Sequence, residues 1–77
     1  MITANDALTL LHNIGYEELT TADKNLISER KLDSIAIMNL ISAIEDTYGC
    51  EIDFDLVDQS CFEDCDAIAK FIEKSLA

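Results

Sequence analysis

Apolar residues at Ala7, Leu8, Leu10, Leu11 and Ile14 recur at the three-and-four spacing of a buried helical stripe, which predicts a first helix over 4–14. Thr3 is its candidate N-cap and Gly15 its stop. His12 falls on or beside the stripe and is expected at the surface, partly exposed. From 15 to 33 the period is lost, yet Leu19, Leu26, Ile27 and Leu32 are too apolar to be left in water, so a long loop pinned across the other helices is expected. The strongest pattern follows, over 34–48. Projected at about 100° per residue, Ile37, Leu40, Ile41, Ile44 and Tyr48 share one arc, the core face. Ile35 and Met38 fall on the other side, near Asn39, Ser42, Glu45 and Asp46, as a second apolar strip bordered by acids. Either the long loop covers this strip or the strip is a docking surface, where apolar residues anchor a partner and acids orient it. After Gly49, Ile52, Phe54, Leu56 and Val57 alternate with acids over too few positions for a long helix, so a short one is expected at 55–59. The last helix is expected over 65–76, with Asp64 as N-cap, Phe62 anchoring its start, and Cys65, Ile68, Ala69, Ile72 and Leu76 on one stripe.

The expected fold is all-α: a four-helix bundle with one short helix and a long loop between helices one and two. The absence of Pro, only two Gly, and an abundance of Leu, Ile, Ala, Glu and Asp agree with this. Seventy-seven residues make one domain, 1–77, with 49% hydrophobic residues to fill one core but too little chain for a second core or a shielded catalytic cleft.

Sixteen acids against five bases leave a net charge of −11, which repels nucleic acid and anionic headgroups and favours partners with basic patches. After Ser34 ten acids face only Lys70 and Lys74. MITANDALTL carries no basic n-region and no long apolar run, so a cytoplasmic protein without stable membrane insertion is expected, and a monomer is expected. Cys50, Cys61 and Cys65 read as free thiols. Although Cys61 and Cys65 are four apart, His12 is the only histidine, and no metal site is expected.

Asp53, Asp55 and Asp58 suggest a calcium loop, but Val57 and Gln59 hold ligand positions, Asp58 stands where a Gly is needed and Asp64 where a Glu is needed. A hydrolase with Ser34 activated by His12 has no Gly-rich elbow and no oxyanion loop. What remains is Ser34 in the first turn of the best helix, beside the apolar strip. Either Asp33 or Ser34 can cap that turn.

The stretch DKNLISERKLDSI, 23–35, resembles the attachment region of acyl and peptidyl carrier proteins, where an Asp-Ser pair followed by a large apolar residue opens the second helix. Leu40, Ala43, Ile44, Glu45, Tyr48, Glu51 and Ile52 stand where such carriers have their second-helix core and following loop, and Phe62, Ile68 and Ile72 where they pack the last helix. The resemblance spans nearly the whole chain and agrees with its length, acidity and helix order.

It implies a bundle of the acyl-carrier-protein type that is not an enzyme. Ser34, with Asp33 beside it, would carry 4′-phosphopantetheine derived from coenzyme A, ending in a thiol that bears cargo as a thioester. Ile35, Met38, Asn39, Ser42, Glu45 and Asp46 would dock partners: a phosphopantetheinyl transferase, and ligases, synthases or transferases that load and use an acyl or aminoacyl cargo. Ala36 and Asn39 stand where fatty-acid carriers commonly have acids, and Arg30 where relatives often have Gly. Asp23, Asn25, Leu26, Glu29 and Leu32 are similar to the loop of stand-alone carriers served by adenylating ligases, such as D-alanyl and peptidyl carriers, so among fatty-acid, polyketide, peptide and D-alanyl pathways a specialised acyl or aminoacyl carrier is favoured over a fatty-acid housekeeping one. The competing class is an unmodified acidic adaptor that binds partners through the Ile35/Met38 strip.

Overall fold

A computed structural model of the chain describes residues 2–53 and 57–76. Helix α1 (Ala4–Asn13) begins at a reciprocal cap, in which Thr3 Oγ1 accepts from the Asp6 amide at 3.3 Å while the Asp6 carboxylate accepts from the Thr3 amide at 2.9 Å. It ends one residue earlier than the stripe predicts, because Ile14 is already the C-cap and Gly15 takes φ +110°, outside helical space. Helix α2 (Ser34–Tyr48) is capped by Asp33 and stopped by Gly49 at φ +64°, a left-handed conformation that glycine adopts without a Cβ clash. Helix α3 (Cys65–Leu76) starts at Asp64, whose carboxylate accepts from the Ala67 amide at 2.7 Å.

The described residues thus hold three α-helices and one short 3-10 turn (Gln59–Phe62), not four α-helices, and no strand. The short helix expected at 55–59 lies partly outside the described residues, and its described part is not helical at 57 and 58. Asp58 is the reason: its backbone is extended and its carboxylate accepts from the Ser60 amide at 3.0 Å, so helical geometry begins only after it. The Asp64 cap then leaves room for a single tight turn.

The core joins Ala7, Leu10 and Leu11 of α1, Ile37, Leu40, Ile41 and Ile44 of α2, and Cys65, Ile68 and Ile72 of α3. Between α1 and α2 the chain runs through turns, and Leu19, Leu26 and Leu32 drop into this same core. Each such side chain contributes about 1.5–3 kcal/mol by leaving water, so these residues supply both the path of the connection and part of the fold's stability. Phe62 is fully buried and its ring meets Phe71 at a centroid distance of 5.2 Å. Leu76, expected on the core stripe, is 43% exposed instead: it has the right angular position, but it is the last residue of α3 and lies beyond the packed layer. Phe71, off the expected stripe, is buried by its contact with Phe62.

Candidate functional site

The start of α2 divides two tasks between adjacent residues. Asp33 is the N-cap: its Oδ1 accepts from the Ala36 amide at 2.8 Å, and its carbonyl accepts from the Ile37 amide at 3.0 Å. Ser34 is the first helical residue and is exposed, and among the described residues its hydroxyl has no hydrogen-bond partner. With the cap already filled, the hydroxyl is left to solvent. The amides of Ser34 and Ile35 likewise have no partner among the described residues, as expected of the first turn of a helix. An anionic group esterified to Ser34 would meet two open amide donors and the positive end of the helix dipole. The donor set therefore fits a phosphodiester.

Ile35 and Met38, 69% and 55% exposed, are not covered by the long loop. Asn39, Ser42 and Asp46 are exposed on the same side of α2. Glu45 stands apart from them: it is half-buried, and its Oε2 accepts from the Ile52 amide at 2.9 Å, which ties it to the segment after α2. α2 contains no basic residue, so the strip is apolar with an acidic border.

Three features named in the sequence do other work. His12 does not meet Ser34; its Nε2 lies 2.9 Å from the Leu19 carbonyl, to which it donates, pinning the loop to α1. All three cysteines are free thiols, and burial pushes the Cys65 thiol up, away from the reactive thiolate. Cys61 lies in the 3-10 turn and Cys65 in α3, so the two do not share one helical face. Among the described residues no group of three or more His, Cys, Asp or Glu could hold a metal ion, and no helix is long and apolar enough to cross a membrane.

The loop before Ser34 is held by residues that sequence reasoning missed. Glu63, just before α3, accepts from the amides of Ile27 and Ser28 through Oε1 at 2.8 and 2.9 Å, and from the Ser28 hydroxyl through Oε2 at 2.6 Å. Its carbonyl accepts from the Leu26 amide at 2.8 Å. The Ser28 hydroxyl and amide, with the Ile27 amide, hold the Glu63 carboxyl below its ordinary range. Asp23 is lowered in the same way, first by the Thr20 amide at 2.7 Å and then by Lys31 at 3.3 Å. The Thr20–Asp23 pairing is a local three-residue signal that a sequence can reveal. The Glu63 pairing spans 35 positions and leaves no such trace.

The chain is similar to known proteins in sequence and in fold. A family model described as a phosphopantetheine attachment site matches residues 9–71. A holo acyl carrier protein from Nitrosomonas europaea, with a structure determined by solution NMR, superposes with a TM-score of 0.64 at 29% identity, covering 95% of this chain and 90% of that one. No curated protein sequence matches the chain significantly. With a family match over most of its length and an all-helical fold shared with that carrier, the chain belongs to the phosphopantetheine attachment-site family, as a carrier of covalently attached 4′-phosphopantetheine and not an enzyme.

Proposed function

We propose that Ser34 is the attachment residue, and that residues 1–77 form a single carrier domain presenting a thioester-bound acyl or aminoacyl group to the enzymes of a biosynthetic pathway. The observation that carries this reading is the division of labour at the start of α2: Asp33 fills the cap, which leaves the Ser34 hydroxyl exposed and without a partner among the described residues. When bound, the arm supplies a flexible tether and a terminal thiol that holds the cargo. Ser34 Oγ provides the ester oxygen, and the open amides of Ser34 and Ile35 are the donors available to the phosphodiester charge. Tethering raises the cargo's effective concentration at each partner's active site without any bond chemistry by the carrier itself.

Ile35 and Met38 are the apolar anchors of the docking surface, with Asn39, Ser42 and Asp46 beside them and Glu45 at its edge. The partners are a phosphopantetheinyl transferase and the ligases, synthases or transferases that load and use the cargo. Basic patches on these enzymes suit a carrier of net charge −11, and the association weakens as salt rises. A monomer in the cytoplasm fits this role, and the three free thiols suit a reducing compartment.

Incubation with coenzyme A and a broad-specificity phosphopantetheinyl transferase is expected to add one phosphopantetheine group, mapped to Ser34 by peptide mass spectrometry and absent from Ser34→Ala. Modification at Ser28, Ser42 or Ser60, or none where a control carrier is modified, would overturn the assignment. An unmodified adaptor would keep its cellular activity in Ser34→Ala, whereas a carrier would lose it.

A further inference from the structure

We infer that Glu63 is a positioning residue for the modification of Ser34, holding from the far end of the sequence the turn on which the attachment serine depends. The inference rests on Ser34 being the attachment residue. Four hydrogen bonds converge on Glu63 from three successive residues of the loop: the Leu26 amide on its carbonyl, and the Ile27 amide, Ser28 amide and Ser28 hydroxyl on its carboxylate. Leu26, whose side chain is fully buried, passes this restraint forward. Its carbonyl accepts from the amides of both Lys31 and Leu32, at 2.8 and 2.9 Å. The next residue is Asp33, whose carboxylate caps α2 and leaves Ser34 free. Hydrogen bonds therefore link the start of α3 to Leu32, two residues before Ser34, and the backbone of Asp33 carries the restraint on to the serine.

The turn has four backbone hydrogen bonds of its own, from the Glu29 amide to the Asn25 carbonyl at 2.8 Å, from the Arg30 amide to the Ile27 carbonyl at 3.0 Å, and the two on the Leu26 carbonyl, but none of these fixes it against the helices. Asn25 and Arg30 flank it at φ +56° and +61°; Asn tolerates this left-handed conformation, whereas for Arg30 it is unfavourable, so the local preference of Arg30 works against the observed path. The surrounding charges add little directed restraint. Lys24 bridges to Asp64 and Asp66 at 3.7 Å through an exposed ammonium, and Lys31 is engaged by Asp23 and Glu29. Glu63 supplies the directed bonds across the gap. It makes no hydrogen bond to Ser34, and acts only through the loop.

The test compares Glu63→Ala, which removes the acceptors, with Glu63→Gln, whose amide oxygen can accept from the two backbone amides and whose NH2 can donate to the Ser28 hydroxyl. Transferase kcat and KM for the carrier are measured with coenzyme A well below each variant's melting temperature, alongside amide hydrogen exchange. Glu63→Ala is expected to lose about three- to tenfold in kcat/KM, mainly through KM, with Glu63→Gln within about twofold of wild type. Faster exchange is expected to be confined to 26–35, with the core amides of α1 and α3 still protected. A wild-type rate in Glu63→Ala would overturn the inference alone. So would a loss in Glu63→Ala accompanied by faster exchange throughout the chain, since that marks general destabilisation. A loss in Glu63→Gln equal to that in Glu63→Ala would also overturn it. A wild-type chain that is not modified would overturn the Ser34 assignment and this inference with it.

Discussion

The Asp33 carboxylate accepts from the Ala36 amide at 2.8 Å, and this bond keeps the neighbouring Ser34 hydroxyl out of the helix cap. Asp33→Ala is expected to cost about 1 kcal/mol in urea denaturation, the ordinary value of a lost N-cap. Asp33→Asn keeps the acceptor and is expected to fold with near wild-type stability while accepting phosphopantetheine more slowly, since the charge beside the serine is gone. An Asn variant modified at the wild-type rate would remove Asp33 from the attachment site and leave it only the cap.

Met38 separates docking from folding. Its side chain is 55% exposed on the outer strip of α2, so Met38→Glu is expected to change stability by no more than about 0.5 kcal/mol. The same charge is expected to weaken productive encounters with the transferase and with loading enzymes, because an anchor that must lose water on docking becomes an unpaired carboxylate. Thermal melts run beside transferase kinetics check this, and a large melt shift with an unaltered rate would show that Met38 serves the fold.

Acid is expected to loosen the connection before α2. The Ser28 hydroxyl and amide, with the Ile27 amide, hold the folded Glu63 carboxyl below its ordinary value. Its stabilising contribution is therefore fully present above the unfolded pKa, the ordinary value of a glutamate, and is lost as pH falls through the lower folded value. Urea midpoints followed from about pH 6 to about pH 3 are expected to fall more steeply for the wild type than for Glu63→Gln. Parallel curves would mean that the clamp does not distinguish the charged carboxylate from the neutral amide.

Leu26 lies in the irregular connection yet is fully buried. Leu26→Ala is expected to cost about 2–5 kcal/mol, as much as a truncation in α2, since its side chain belongs to the same core. Chemical denaturation gives the value directly, and a cost below about 1 kcal/mol would mean that the loop packs weakly on the helices.

Arg30 adopts φ +61°, a left-handed position that is easiest without a Cβ. Arg30→Gly removes strain of about 1–2 kcal/mol, offset in part by the greater freedom of glycine in the unfolded chain. A net gain of about 0.5–1 kcal/mol is expected from melting curves, and a loss would show that the arginine side chain makes up for its own strain.

The parts of the fold legible in the sequence are those in which cause and effect lie within a few residues. Thr3 and Asp64 cap the helices that follow them, and Gly15 and Gly49 mark where α1 and α2 stop. The apolar period of α2 sorts Ile37, Leu40, Ile41 and Ile44 to the core and Ile35 with Met38 to the opposite side. Asp33-Ser34-Ile35 could be recognised as a unit because all of its chemistry sits in one turn.

Tertiary structure decided the remainder, because backbone hydrogen-bond donors and side-chain faces acquire partners only when distant segments meet. Nothing near Ser28 indicates that Glu63, 35 positions later, will take its hydroxyl, and nothing near His12 indicates that its ring will hold the Leu19 carbonyl. Periodicity placed Leu76 on a buried stripe but could not show that the packed layer stops short of it, while Phe71 lay off the stripe until Phe62 covered it. By itself the sequence determined the three long helices and a serine able to open the second of them, but not the short turn before the third. Which of two adjacent polar residues caps that helix, and which face of it stays in water, only the folded chain decided, because both depend on the path of the connection before it, which holds Arg30 in a left-handed conformation against its local preference.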